Sequence, residues 1–227
     1  MEGQYTGGDI LAALESADHY NAFLTDLVRR SAGGEKRLID FGGGVGTFAR
    51  RLQREGYDVV CIEPDDSQRQ QLIDEGFEAL ATIDALPDNA ASFVFSLNVF
   101  EHIREDASTV VQLWEKLRPG GGVLIYVPAF DCLWSSLDDQ VKHCRRYTKR
   151  SLRELVERAG FSVEEIRYVD ALGFLAALGF GVLRPSAATI TAGSVRFYDR
   201  WLFRPSRFLD KLFHPFFGKN VYAIARK

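Results

Sequence analysis

Residues 38–52 read Leu-Ile-Asp-Phe-Gly-Gly-Gly-Val-Gly-Thr-Phe-Ala-Arg-Arg-Leu. A buried-strand pattern ends on Asp40, four glycines follow within five positions, and an amphipathic stretch begins at Thr47. Glycine is required where a chain turns through positive φ and where a ligand must approach the backbone unhindered by Cβ atoms. Dinucleotide sites use the order G-x-G-x-x-G and place a pyrophosphate at the helix N-terminus. Here the order is D-x-G-x-G-x-G, from Asp40 through Gly42 and Gly44 to Gly46. A carboxylate at the strand end repels a pyrophosphate and suits a cationic or amine-bearing ligand. Glu63 closes the next strand, Val-Val-Cys-Ile-Glu-Pro, where an acidic residue can accept hydrogen bonds from ribose hydroxyls, with Pro64 beside the base.

Outward from this turn the sequence alternates short apolar runs with amphipathic stretches. Strands are expected at 37–41, 58–62, 78–82, 92–97, 123–127, 162–169 and 220–226, and helices at about 17–30, 46–55, 66–75, 104–117 and 149–159. Repeated βα units of this length predict an α/β fold, a doubly wound and mostly parallel sheet with helices on both faces. Residues 128–148 carry aromatic and charged residues without a period and read as a loop over the strand ends. The expected division is an N-terminal helical cap at 1–35, a nucleoside-binding α/β domain at 36–169 and 220–227, and a helical insertion at 170–219.

Composition narrows the setting. Three cysteines, Cys61, Cys132 and Cys144, are an odd number without metal-ligand spacing, so free thiols, a reducing cytoplasm and no metal are expected. The first ten residues carry no secretory pattern. Residues 171–183 are uniformly apolar but thirteen long, short of the roughly 20 needed to span a bilayer. Charge is uneven: residues 184–227 hold nine Lys or Arg against two Asp or Glu, within a chain of net charge −3.

The motifs in combination resemble the class I S-adenosylmethionine-dependent methyltransferases. Asp-Phe-Gly-Gly-Gly-Val-Gly (40–46) is similar to their first motif and Ile62-Glu63-Pro64 to the acidic-strand motif; Asn98-Val99-Phe100-Glu101-His102-Ile103 and Leu117-Arg118-Pro119-Gly120-Gly121 match the fourth and fifth strands. A narrower likeness, to bacterial members acting on small molecules or glycans, lies in 127–148 with its Lys142-His143-Cys144-Arg145-Arg146-Tyr147-Thr148 run. The resemblance implies a seven-stranded Rossmann-like sheet and S-adenosylmethionine as cofactor, with S-adenosylhomocysteine as product. It implies that Asp40 and the glycines hold the methionine end, Glu63 the ribose, and Ile83 and Asp84 the adenine. Asn98 and Val99 would lie beneath the sulfonium, and Tyr20 would close over the methionine carboxylate or pack its own helix. Where relatives carry an Asp four residues before Leu86, this chain has Thr82, with Asp84 as the replacement.

Methyl transfer is an in-line displacement, and a base is needed only for a weakly acidic hydroxyl or a protonated amine. His102, His143 and Tyr147 are the catalytic candidates; His143 would serve as base, acceptor-binding donor or structural anchor. Arg145, Arg146 and Trp134 would contact the acceptor, the arginines suiting an anionic or sugar-like group or else pairing with Asp138 or Asp139. The acceptor would be a small molecule, sugar or lipid-linked compound, methylated on oxygen, with no nucleic acid involved. The arginine- and aromatic-rich stretch within 171–217 would cap the site, bind a membrane surface or form a dimer face, so that the protein is a monomer or homodimer. A non-catalytic S-adenosylmethionine-binding subunit and a nicotinamide-dependent oxidoreductase are the competing readings.

Overall fold

A computed structural model describes residues 16–183 and 192–227. The parts of the expected cap and insertion at 1–15 and 184–191 lie outside the described residues. Helix α1 (Asp18–Ala32) leads into β1 (Arg37–Phe41), α2 (Thr47–Arg54), β2 (Asp58–Ile62), α3 (Asp66–Asp74) and β3 (Glu78–Leu80). Then come β4 (Ala91–Leu97), α4 (Asp106–Lys116), β5 (Leu117–Pro128), α5 (Ser136–Gln140), α6 (Lys149–Arg158) and β6 (Ser162–Val169). Helices α7 (Ala171–Leu183), α8 (Ala192–Tyr198) and α9 (Arg204–Phe213) precede β7 (Asn220–Arg226), with a π-helical stretch, Asp199–Phe203, joining α8 to α9.

The seven strands lie in the order β3-β2-β1-β4-β5-β7-β6, with only β7 antiparallel to its neighbours. The order reverses between β1 and β4. Such a switch point opens a crevice at the carboxyl ends of the two strands, and the glycine turn leaves β1 there. Alternation along the strands builds both cores. Ile39, Val94, Val123, Ile125 and Ala223 face one side, with α4 and α6; Leu38, Phe93, Phe95, Leu124 and Tyr222 face the other, with α1 and α2.

The expected helix at 17–30 forms as α1 and stops at Gly33, which takes φ +62°. Three expectations change. Strand β5 starts at Leu117 and continues through Pro119–Gly122, because its neighbour β4 shifts register between Ala91 and Phe93 and absorbs the extra residues. Strand β3 is shorter than expected, ending at Leu80. Residues 128–148 are not a featureless loop: Ser135 and Asp138 form a reciprocal cap on α5, and Ala129 pairs with Tyr147.

The insertion is tied to the sheet by buried carboxylates. Asp210 accepts from the backbone N–H groups of Asp170 and Ala171 (3.0 and 2.8 Å), and Ser206 Oγ donates to Asp170 (2.7 Å). Asp199 supplies the cap that Ala17 cannot give α1, accepting from the N–H groups of His19 and Tyr20 at 2.9 and 2.8 Å. Asp199→Ala should therefore lower the unfolding free energy by about 1–2 kcal/mol, read from the urea midpoint. An unaltered midpoint would remove this cap from the account.

Candidate active site

The glycines of the turn have different tasks. Gly42 takes φ +87°, and a Cβ there would collide with the Val99 side chain; at Gly46, φ +82°, it would meet Leu72 Cδ2 at 2.7 Å. These two let β4's continuation and α3 pack against the turn. Gly44, φ +53°, is different: among the described residues a Cβ there would have only Gln68 Oε1 within 4 Å, at 3.7 Å, which leaves room for a ligand. Helix α2 follows Gly46, which has no side chain to cap it, so the N-terminal end of its dipole lies beside the glycine turn.

Two acids flank this opening. Asp40 is 3% exposed and its Oδ2 has no hydrogen-bond partner among the described residues. Burial, and secondarily the nearby Glu63, raise its pKa to about 8. Glu63, also buried, accepts from the N–H groups of Gly44 (2.8 Å) and Asp65 (2.9 Å). Each of its oxygens keeps a further lone pair. Pro64 and Asp84 are exposed nearby in the chain, whereas Ile83 is buried.

Past β4, Asn98 adopts φ +56° and its Nδ2 lies 3.4 Å from the Tyr20 hydroxyl. Tyr20 packs edge-on against Tyr126 and Phe203, and its burial raises the phenol pKa to about 12. Tyr20 thus both packs its helix and presents its hydroxyl to Asn98.

One helical turn farther on, Phe100–His102, the chain meets the 128–148 segment. His143 Nδ1 lies 2.7 Å from Asp138 Oδ1, and its Nε2 lies 3.9 Å from Glu101 Oε1. The His102 and His143 rings meet edge to face at 4.7 Å. Desolvation, reinforced by His143, lowers the His102 pKa to about 4, so its ring is neutral near pH 7. Burial raises the Glu101 carboxyl to about 8, against opposing contributions from its own backbone N–H and from Arg146.

Comparison with known proteins fits this geometry. Residues 16–166 match the model of a methyltransferase domain. The chain belongs to the S-adenosylmethionine-dependent methyltransferase family. It is 30% identical over 165 residues to a probable S-adenosylmethionine-dependent methyltransferase of Mycolicibacterium smegmatis, an alignment covering 69% of this chain and 61% of that protein. The chain spans about two to three fifths of the first curated relatives it matches. Among solved structures, a S-adenosylmethionine-dependent methyltransferase from Archaeoglobus fulgidus superposes with TM-score 0.60 at 19% identity, covering 91% of this chain and 94% of that one. Geranyl diphosphate C-methyltransferase from Streptomyces coelicolor does so with TM-score 0.62 at 12% identity, over 90% and 80%. These two share the fold.

The cofactor of this methyltransferase domain is S-adenosylmethionine, and the residues present suit it. Asp40 offers a buried carboxylate oxygen with no partner among the described residues, which matches an ammonium group. Gly44 gives backbone uncrowded by the described residues, the N-terminal dipole of α2 favours a carboxylate, and Glu63 has spare acceptor capacity for ribose.

The methyltransferase's remaining sequence candidates fall into two groups. His102 and His143 converge with Glu101 and Asp138. Arg146 supports that cluster through Asp138, whereas Tyr147, Arg145 and Trp134 are engaged elsewhere. Tyr147 is 3% exposed, its hydroxyl 2.9 Å from Asp106 and 3.2 Å from the Phe100 carbonyl oxygen, and burial and then Asp106 push its pKa up. Arg146 makes a paired contact to Asp138 (2.9 and 3.0 Å), and Arg145 pairs with Asp106 at 2.7 Å. Trp134 Nε1 donates to Asp139 at 3.0 Å, and its ring is partly exposed. Asp138 was expected only as an arginine partner, which its contact with Arg146 bears out, and neither it nor Glu101 was expected among the site groups. Each lies beside a histidine candidate along the chain or in the 128–148 segment, and that proximity was the available signal.

Proposed function

We propose that this protein transfers the methyl group of S-adenosylmethionine to a hydroxyl of a small-molecule, sugar or lipid-linked acceptor. The observation that carries this reading is the Asp138–His143–Glu101–His102 cluster one turn beyond Asn98 and Val99, which themselves adjoin the glycine turn. Asn98 and Val99 on the cofactor side are thus followed, after Phe100, by Glu101 and His102, which the 128–148 segment joins with Asp138 and His143. In this reading Asp40, Gly42, Gly44 and Gly46 hold the methionine end, and Glu63 the ribose. Pro64, Ile83 and Asp84 border the adenine. Asn98, Val99 and Tyr20 position the methyl group. His143, aligned by Asp138, and His102 face the acceptor and manage its proton. Tyr147, Arg145 and Arg146 are positioning residues that hold the 128–148 segment to α4 and α5. Trp134 stays in the acceptor role through its exposed ring.

The lipid-linked option is favoured by the outer face of the insertion. Phe197, Trp201, Phe208, Leu212 and Phe216 are exposed there, alongside exposed Arg196, Arg200, Arg204 and Lys211. Asp199, Phe203, Ser206 and Asp210, at helical spacing, are buried on the opposite side. Such a face suits anionic headgroups; among the described residues no helix is long and apolar enough to cross a membrane.

With radiolabelled S-adenosylmethionine, label should enter a hydroxyl-bearing acceptor fraction. His143→Ala should slow transfer by about 100-fold or more while cofactor affinity stays within a factor of a few. If the variant turns over normally, the cluster has no part in the acceptor chemistry.

A further inference from the structure

We propose that Glu101, His102 and His143 form a binding site for a divalent first-row transition ion, with two imidazole ligands and one carboxylate. The candidate donor atoms of the three residues all lie within 4.8 Å of one another. They come from two segments 41 residues apart, which is why no ligand spacing is visible in the sequence.

Three features distinguish this group from a chance cluster. First, the orientation of His143 is fixed from behind: Nδ1 is 2.7 Å from Asp138 Oδ1, and Asp138 is itself held by the Ser135 N–H and the Arg146 guanidinium. A carboxylate on Nδ1 keeps the proton there and leaves the Nε2 lone pair facing outward, as in many histidine–metal sites. Second, Glu101 is 1% exposed and its Oε2 has no partner among the described residues. Its other oxygen is 3.9 Å from His143 Nε2, beyond hydrogen-bond range. Burial of a carboxylate without a partner is costly, and a cation would relieve it. Third, the His102 and His143 rings meet edge to face with centroids 4.7 Å apart, which brings the two imidazoles to one space.

Two ligands bound at about 2.1 Å to one ion stand roughly 3.0–3.5 Å apart. Closure thus asks for side-chain rotations on the order of 1 Å, within reach of partly exposed histidines. Two imidazoles with one carboxylate favour Zn2+, Fe2+ or Co2+ over Mg2+ or Ca2+ and leave coordination positions open. Binding does not depend on the acceptor reading above. Its use does, since an ion there would polarise an acceptor hydroxyl, replacing free His143 as the group that manages the proton.

The chelator-stripped full chain should be titrated with Co2+, followed by visible absorption, and with Zn2+ by calorimetry; S-adenosylhomocysteine binding is measured in parallel on each sample. The expected result is one equivalent of ion at micromolar or tighter Kd, weakened at least tenfold by Glu101→Gln and by His143→Ala. S-adenosylhomocysteine affinity should be retained in both variants. Absence of stoichiometric binding, or equal binding by the Glu101→Gln/His102→Ala/His143→Ala variant, overturns the site. If the wild-type chain binds ion but no S-adenosylhomocysteine, the metal site stands and the methyltransferase reading falls.

Discussion

Asp40→Asn is expected to weaken S-adenosylmethionine binding about 100-fold and to abolish the rise of affinity with pH below about pH 8. The size follows from losing a buried, charge-assisted contact, worth about 2–3 kcal/mol, where 1.4 kcal/mol is tenfold. The pH profile follows from the pKa of about 8 that burial and Glu63 impose on Asp40. Below that value the carboxyl must release a proton to receive an ammonium group, so affinity rises with pH. An α-amino group itself loses its proton at about 7.7–8.0, so above this range affinity falls. The wild-type profile should peak near pH 8, and the Asn variant should lack the rising limb below it, keeping only the fall that the ligand's own amino group imposes.

The same carboxyl makes a linked prediction for the ligand-free protein. A pKa raised on folding means that the folded chain holds a proton the unfolded chain releases. This contribution to stability is complete below the ordinary carboxyl range and declines as pH rises towards about 8, with a slope on the order of 1.4 kcal/mol per unit. Asparagine cannot ionise. Relative to wild type, the ligand-free variant should therefore gain stability between pH 5 and pH 8 in thermal unfolding. Calorimetry showing unchanged cofactor affinity and an unchanged profile would detach Asp40 from the methionine end.

Much of this arrangement was legible in the sequence, and the reason is physical. Buried parallel strands are short apolar runs bounded by turns, so β1 and β2 were found at their observed limits, and β6 and the apolar antiparallel β7 were found at theirs. The glycine turn was legible because positive φ at Gly42 and Gly46 and close packing by Val99 and Leu72 exclude other residues. The start of β5 was not, because Pro119–Gly122 carries every mark of a turn and only the register shift in β4 keeps it in the sheet. His102 and His143 were singled out one by one, but their meeting was not visible. A ring contact between residues 41 apart depends on how 128–148 folds back, and that depends on buried polar bonds rather than periodicity. Asp199 capping α1 from the far end of the chain was hidden for the same reason.

The largest expected loss of stability comes from Asp138→Ala, about 3–5 kcal/mol in chemical unfolding. Asp138 is 1% exposed and accepts from the Ser135 N–H and Oγ (2.8 and 3.0 Å), from His143 Nδ1 (2.7 Å), and from Arg146 Nε and Nη2 (2.9 and 3.0 Å). Truncation would leave the Arg146 guanidinium, itself 9% exposed, without its counter-charge, and would free the His143 ring to rotate. Although burial alone would raise the Asp138 pKa, the bonds from His143 and Arg146 hold it well below the usual carboxylate range. A depressed pKa stabilises the fold above the unfolded value, near 3.9, and that stabilisation disappears as pH falls through the folded one. The gap between wild type and Asp138→Ala should accordingly be full at pH 6–7 and shrink on acidification below about pH 4. Asp138→Asn, which preserves shape and the acceptor for Ser135 but not the charge, should lose an intermediate amount. A deficit under 1 kcal/mol for the alanine variant at neutral pH would mean that Arg146 and His143 find water or other partners at no cost. The 128–148 segment would then be held by its aromatic contacts, Phe130 on Tyr168 and Phe174, rather than by this carboxylate.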